Sequence, residues 1–301
     1  MIRLGTRGSA LALAQARWVA ERLAGDVEIV PITTSGDERG RGTPELADKS
    51  RFVKEIEEAL LAGEIDLAVH SAKDVPAELP SGLVIHAVPE RADPRDAICG
   101  ARSFEDLPDG AVVGTASLRR RALLHAMRPD LDVRELRGNV DTRLRRLAGG
   151  DFDAIVLAQA GLDRLGRGDE GSPLDPTEFV PAPGQGCLVL EARDADSGLP
   201  RETSAIGDLP ATECLFLERT VVRRLGATCH TPIGVHALAR DDGLRLTAFV
   251  GLPDGSTWIR DELRSPEHTV ADALGLALAD RLLAAGAAEL LEDAERAATA
   301  G

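Results

Sequence analysis

Between Ser117 and Arg146 the chain carries nine arginines and four acids, a local charge of +5 inside a 301-residue protein of formal charge −15. Arg119, Arg120 and Arg121 follow Ser117, so a helix capped by that serine holds them in its first turn. Cations there oppose the helix macrodipole. Arg119 and Arg120, beside the hydroxyls of Thr115 and Ser117 and the free N–H groups of a helix start, make an anion site. The other arginines of the stretch read as solvated surface. Arg7 and Ser9 take the equivalent place near the N-terminus. A ligand with several carboxylates or phosphates would then be held from both sides.

Lysine use narrows the search. Against 32 arginines there are three lysines, Lys49, Lys54 and Lys73, all within 25 residues, and the two side chains are not interchangeable. Lys54 with Glu58 makes an i,i+4 helix pair and reads as structural. The segment His70-Ser71-Ala72-Lys73-Asp74-Val75-Pro76 leaves the C-terminal end of a strand, where α/β proteins place their sites. Asp74, beside Lys73 and near His70, is either a turn-former or an acid/base group. Cys229 sits in a loop bounded by glycine and proline, Leu225 to Gly234, and reads as more exposed than Cys99 or Cys187. Such a thiol is a nucleophile, an attachment point or simply idle. With Cys214, the cysteines form no C-x-x-C pair, so neither a metal site nor a disulfide framework is expected.

The elements that must position these residues alternate. Ile2–Gly5, Val27–Ile32 and Ile65–His70 read as strands. Helices fall at Ser9–Ala24, with Leu11, Ala14, Trp18 and Leu23 on its apolar face, and around Phe52, Ile56, Ala59 and Leu60. Thr33–Ser50 reads as a surface loop. A second pass gives strands at Val112–Gly114, Val133–Leu136 and Phe152–Leu157, with helices at Ser117–Met127 and Val140–Leu147. Gly5-Thr6-Arg7-Gly8-Ser9 is echoed by Gly114-Thr115-Ala116-Ser117, and Gly63-Glu64-Ile65-Asp66 by Gly150-Asp151-Phe152-Asp153. The echoes imply two similar α/β lobes with a ligand cleft between them. Cys187–Glu191 is expected to return as a strand to the first lobe. A helix at Pro210–Leu225, strands at Gly234–Ala239, Leu244–Val250 and Ser256–Arg260, and two Ala/Leu-rich helices form a small α+β domain. The expected division is residues 1–89 with 187–204, then 90–186, then 205–301.

Composition sets outer bounds. Apolar residues make up 44% of the chain, enough for two or three domains of about 100–150 residues. The acidic balance argues against nucleic acid and anionic membranes as partners. Aromatics are 3% with no tyrosine, which leaves little for base stacking. No apolar run reaches the roughly 18 residues of a membrane span. Met1–Ala20 has three arginines and no acid, a superficial likeness to a transit peptide, but structure is expected from residue 2. The expected setting is the reducing cytoplasm.

The chain resembles the porphobilinogen deaminase (hydroxymethylbilane synthase) family nearly end to end. The likeness rests on Thr6-Arg7-Gly8-Ser9 with Leu11-Ala12-Leu13, Phe52-Val53-Lys54-Glu55, Ala68 through Pro76, and Asp93-Pro94-Arg95-Asp96. It continues through Gly114 to Arg120, Leu136-Arg137-Gly138-Asn139-Val140, Ala160-Gly161-Leu162, Gly184-Gln185-Gly186, and Cys229 with Pro232-Ile233-Gly234. The resemblance implies two lobes like those of periplasmic binding proteins plus a small α+β C-terminal domain. It implies head-to-tail condensation of four porphobilinogens with loss of ammonia, then hydrolytic release of hydroxymethylbilane. The growing chain would start on a dipyrromethane primer held as a thioether by Cys229. Asp74 matches the family's catalytic aspartate. Arg7, Arg119, Arg120, Arg137, Arg143 and Arg164 match positions that hold carboxylates or the primer, and Ser9, Gln15, Lys49, Ser71, Lys73, Thr115 and Ser117 match supporting polar positions. No metal or nucleotide is implied, and a cytoplasmic monomer is expected.

Three departures stand out. Ala227-Thr228 replaces a frequent Gly-Gly before the cysteine. Asp48-Lys49-Ser50-Arg51 replaces Gly-Lys-Gly-Leu in a shortened loop. Asp141 stands where glycine is common. The rival reading is a non-enzymatic, two-lobed anion receptor, which explains the lobes and arginines but not the Cys229 motif. A hydrolase built from Cys229, His230 and Asp74 fails because adjacent side chains rarely converge.

Overall fold

The computed structural model describes residues 1–34, 53–194, 199, 201–228, 231–240, 243–266 and 271–300. In chain order the first elements are β1 (Ile2–Arg7), α1 (Ala10–Ala20), β2 (Val27–Ile32), α2 (Lys54–Leu61), β3 (Leu67–Ser71) and β4 (Leu83–Ala87). Then come β5 (Asp96–Cys99), β6 (Val112–Gly114), α3 (Leu118–Met127), β7 (Asp132–Arg134), α4 (Val140–Ala148), β8 (Ala154–Ala158), α5 (Gln159–Arg164) and β9 (Ser172–Pro173). The chain closes with β10 (Leu188–Arg193), α6 (Leu209–Arg224), β11 (Ile233–Arg240), β12 (Gly243–Gly251), β13 (Trp258–Ser265), α7 (Ala271–Ala284) and α8 (Ala287–Ala300).

Two compact units emerge: residues 1–92 with 186–213, and residues 93–185 with 214–301. The first is built on a five-stranded sheet of order β2-β1-β3-β10-β4. There β1 runs parallel to β2 and β3, and β10 runs antiparallel to β3 and β4. The second unit contains a sheet of order β7-β6-β8-β5-β9, with β6 parallel to β7 and β8, and β5 antiparallel to β8 and β9. Each five-stranded sheet is one lobe of the mixed α/β fold, and the strand in fourth place is in both cases an antiparallel visitor. As expected, the stretch after Cys187 returns to the first sheet.

The repeat has a physical basis at the level of single residues. Asp66 accepts the Arg3 N–H at 2.8 Å and donates its own N–H to the Arg3 carbonyl at 2.9 Å. Asp153 does the same with Val112, at 2.7 and 2.9 Å. Each aspartate therefore ties down the start of the strand that sits second in its sheet, β1 or β6. The residue before it, Ile65 or Phe152, packs over Gly5 or Gly114, where a Cβ would collide with it. Gly63 and Gly150 both take positive φ as the helix ends, which glycine alone adopts without cost. Ser9 and Ser117 both cap the helix that follows, accepting from Ala12 N at 3.2 Å and Arg120 N at 3.4 Å, as N-caps do.

The structure corrects several expectations. α1 buries Ala12, Gln15, Ala16 and Val19, leaving Leu11, Ala14 and Trp18 half-buried. The short side chains bring the helix close to the sheet, while Trp18 lies under the Arg22 guanidinium, 4.0 Å from its ring centre. β7 ends at Arg134 rather than Leu136, because Thr115 N takes the Arg134 carbonyl and the chain then turns. Strands β4, β5 and β9 and the short α5 were not anticipated, and β13 runs from Trp258 to Ser265. Most of the expected loop Thr33–Ser50 lies outside the described residues.

Within the second unit the three-stranded sheet β11-β12-β13 joins the lobe. Val235 N donates to the Pro181 carbonyl at 2.9 Å, and His125 Nδ1 lies 2.7 Å from the Pro253 carbonyl. Phe249 enters the same core cluster as Phe104, Phe179 and Val180. A Cβ on Gly234 would sit 2.6 Å from the Val180 carbonyl oxygen, so the Pro232-Ile233-Gly234 motif needs its glycine for this close approach.

Candidate functional site

The arginines at the start of α3 are not on the surface. Arg119 and Arg120 are 4% and 6% exposed, and both turn onto Asp96, which is fully buried on β5. Arg119 Nη1 lies 2.8 Å from Asp96 Oδ2, and Arg120 places Nη2 and Nε 2.7 and 2.9 Å from Oδ1. Their remaining donors reach backbone: Arg119 donates to the Val180 carbonyl at 2.7 Å and Arg120 to the Val156 carbonyl at 2.8 Å. The Gln185 amide donates to Asp96 Oδ1 at 3.1 Å and to the Pro94 carbonyl at 2.8 Å. Burial by itself raises the Asp96 carboxyl, but the two guanidiniums and the Gln185 amide outweigh it and hold it at about 2.

Arg143 on α4 completes the positive excess. Its Nε donates to the Gly138 carbonyl at 2.7 Å, and it has no carboxylate partner among the described residues. Burial and the nearby Arg120 charge push its guanidinium down to about 10. One carboxylate thus serves two guanidiniums with a third charge near Arg120, and the Thr115 hydroxyl just ahead of α3 accepts the Ser117 N–H at 3.1 Å. The Val180–Pro181 segment links this group to β11: Val180 accepts from Arg119 and Pro181 from Val235. The surface reading holds for much of the rest of the stretch. Arg128, Arg134, Arg137 and Arg146 pair with Asp130, Asp132, Glu135 and Asp151 at 2.5–2.7 Å. Arg137, expected to hold a carboxylate, is exposed and carries its own acid, Glu135. The Asp141 departure is balanced by Arg167, 2.8 Å away.

In the first unit Ser71 ends β3, and Lys73 and Asp74 sit on the short 3-10 turn that follows, Ala72–Asp74. The turn is tied down by Ala72 N donating to the Cys187 carbonyl at 3.0 Å. Ser71, Lys73 and Asp74 are half-buried, as is Arg7 at the end of β1. Ser9 caps α1 six residues before the buried Gln15. Arg164 closes α5, half-buried. Lys54 pairs with Glu58 at 3.7 Å on the helix surface, as its spacing suggests. Cys229 and Lys49 lie outside the described residues. On either side of the cysteine, Thr231 donates its N–H and hydroxyl to the Thr228 carbonyl at 3.2 and 2.6 Å. Cys99, Cys187 and Cys214 are buried thiols outside any disulfide.

Asp96 and Gln185 escaped the sequence reading as functional candidates, although both lie in blocks that carry the family likeness. The partners of Asp96 are 23, 24 and 89 positions away, beyond what local spacing shows. We expect Asp96→Asn to lower the unfolding free energy by about 3 kcal/mol at pH 7, since it leaves two buried guanidiniums without a counter-charge. Because the folded carboxyl sits below its unfolded value of about 3.9, its contribution is present above pH 4 and lost as pH falls through 2. Urea titrations of both proteins should therefore converge toward pH 2. A constant gap across that range would show that Asp96 is not the group titrating.

No helix among the described residues is long and apolar enough to cross a membrane. Residues 2–201 match the family model described as "Porphobilinogen deaminase, dipyromethane cofactor binding domain", and residues 212–284 match "Porphobilinogen deaminase, C-terminal domain". Among curated proteins the chain is 49% identical to the porphobilinogen deaminase of Thermus thermophilus, over 97% of this chain and 98% of that one. It is 46% identical to that of Syntrophus aciditrophicus, over 98% and 99%, and 46% identical to that of Deinococcus radiodurans, over 97% and 98%.

Proposed function

The chain belongs to the porphobilinogen deaminase family, and on that premise we propose how its residues divide the work of a hydroxymethylbilane synthase. The enzyme is a transferase of tetrapyrrole biosynthesis that joins four porphobilinogens head to tail with loss of ammonia and releases hydroxymethylbilane by hydrolysis. Its cofactor is a covalent dipyrromethane, which supplies the free pyrrole carbon to which the first unit is joined.

The observation that carries the division of roles is the arginine group of the second unit. Arg119 and Arg120 share the single carboxylate of Asp96, and Arg143 lies within reach of the Arg120 charge, in a chain of net charge −15. That excess fits a ligand whose every ring bears two carboxylates, and charge-assisted bonds from guanidinium are the strong kind. In this reading Asp96 holds Arg119 and Arg120 in place, and Arg143, with no acid partner among the described residues, takes a ligand carboxylate directly. Thr115, Ser117, Arg137 and Arg164 add polar contacts, as do Arg7, Ser9, Gln15, Lys49, Ser71 and Lys73 from the first unit. Cys229 carries the primer through its sulfur.

Asp74 handles the charge. When porphobilinogen loses its amino group as ammonia, the methylene left behind is a cation conjugated with the pyrrole N–H. A carboxylate that accepts that N–H stabilises the positive charge as it develops and assists the proton movements that follow. The reading also places the enzyme in the cytoplasm as a monomer acting on free porphobilinogen. Three buried cysteines kept as thiols support a reducing compartment.

Mass spectrometry of the denatured wild-type protein tests this against the receptor alternative. The expected mass is that of the chain plus two pyrrole units. The bare sequence mass in protein purified from cells making porphobilinogen would favour the receptor.

A further inference from the structure

The arginine helix α3 is held at both ends. At its start Arg119 and Arg120 turn onto Asp96. In its last turn the half-buried His125 places Nδ1 2.7 Å from the Pro253 carbonyl, 128 positions further along the chain. A carbonyl oxygen only accepts, so Nδ1 carries the hydrogen. The neutral Nδ1–H tautomer and the imidazolium both donate from that atom, so the bond does not depend on the charge of the ring.

Pro253 belongs to a turn with little freedom, the one that joins β12 to β13. Leu252 N donates to the Thr257 carbonyl and Gly255 N to the Leu252 carbonyl, both at 2.9 Å. Asp254 Oδ1 accepts from Ser256 N at 3.0 Å and from Ser256 Oγ at 2.7 Å. Gly255 takes φ +71° and lies so close to α3 that a Cβ would sit 2.6 Å from the His125 carbonyl carbon and 2.7 Å from Ala126 N. Both obstacles are backbone, so a larger residue must move the helix or the turn. Phe249 of β12 shares a core cluster with Leu123 and Leu124 of α3 and stacks on Trp258 with ring centres 6.3 Å apart.

The same turn is tied to the segment that follows Cys229. Gly251 N, just before Leu252, donates to the Pro232 carbonyl at 3.4 Å, and Val250 pairs with Ile233 in the β11-β12 ladder. Pro232 stands three residues after Cys229 in the sequence. A short path of backbone and hydrogen bonds therefore runs from Pro232 through Gly251, Leu252 and Pro253 to His125, and along α3 to Arg120 and Arg119.

The repeat supplies a control. With the two capping serines, Ser9 and Ser117, set against each other, His125 falls on Arg17 of α1. Arg17 is exposed, an ordinary cation at a helix C-terminus. One copy of the lobe plan closes this helix with a solvated charge, the other with a bond to a turn of another sheet. The plan itself does not need the bond.

We propose that His125 is a positioning residue: its bond to the Pro253 carbonyl, with Gly255 seated against the same helical turn, fixes the arginine helix α3 relative to the backbone that follows Cys229. This rests on the reading of Cys229 as the primer-bearing thiol and of the arginine group as the grip on the primer's carboxylates. A primer tethered by its sulfur at one place and held by charge at another is productive only when the two places keep one spacing. A shift of about 1 Å in a positioning element far from the chemistry is enough to slow turnover severalfold or more.

Full-length variants purified from cells making porphobilinogen test this, with intact mass reporting primer loading and kcat counted per loaded chain. His125→Leu removes the donor from a half-buried helix position. Its Tm should stay within about 4 °C of wild type, while kcat falls at least about fivefold with KM within about twofold. His125→Asn sets an amide N–H near the place of Nδ1 and should recover at least about half of the lost kcat. Gly255→Ala, which must displace the turn or the helix, should also lose at least about fivefold in kcat. Wild-type kcat in folded His125→Leu overturns the proposal, and so does a loss that His125→Asn leaves unrelieved. If His125→Leu does not fold, Gly255→Ala decides, and wild-type kcat there overturns the proposal. Arg119→Leu in the same assay separates the two readings. Unaltered loading and turnover there strike the arginine reading itself, whereas a slow Arg119→Leu beside an unaltered His125→Leu strikes only the tie at Pro253.

Discussion

Cys229→Ser protein is expected to emerge from cells folded but at its bare sequence mass, without the two pyrrole units, and with no measurable turnover. The serine hydroxyl is close in size to the thiol and leaves the rest of the chain untouched. It lacks the nucleophilic sulfur, however, and cannot form a thioether. The other three thiols are poor substitutes. Cys99, Cys187 and Cys214 are all buried, and burial raises the Cys99 thiol to about 11, so it stays protonated and unreactive near neutrality. Intact-mass measurement after denaturation, followed by peptide mapping, reads the result directly. Finding the added mass on Cys99, Cys187 or Cys214 in the wild-type protein would sink the assignment.

Asp74→Asn should lose at least about 10²-fold in kcat, in the range of lost transition-state electrostatics, with KM close to wild type. Asparagine keeps the shape and one acceptor oxygen but not the negative charge, and the charge matters most when the pyrrole is cationic. An interaction present mainly near the transition state lowers turnover more than substrate affinity. Asp74→Glu keeps the charge and displaces it, so part of the activity should survive. The comparison uses protein already loaded with primer, because assembly of the primer draws on the same chemistry. Wild-type turnover by loaded Asp74→Asn would return Asp74 to the role of a turn residue.

Arg119 illustrates how burial changes a prediction. As a surface cation, its removal would weaken ligand binding alone. As one of two guanidiniums on fully buried Asp96, it also holds the second lobe together, so Arg119→Leu should lower stability as well as primer loading. Arg143 is the better probe of the ligand's carboxylates, since it is half-buried and serves no acid among the described residues.

The sequence by itself determined the lobed plan and the caps and glycine turns that repeat in its two copies. The echoes at Gly5 and Gly114, at Ile65 and Phe152, and at Asp66 and Asp153 are local signals, because strand edges, helix caps and glycine turns depend on neighbours a few positions apart. The same holds for Lys54 with Glu58 and for Ser9 and Ser117 as caps. Only the tertiary structure decided which charges are buried and with whom. Asp96 meets Arg119 and Arg120 across more than twenty residues, and His70 meets Glu191 across 121 positions. Spacing along the chain carries no record of such meetings. Desolvation is a property of the packed interior, and it is what turns an arginine from a solvated side chain into a strut.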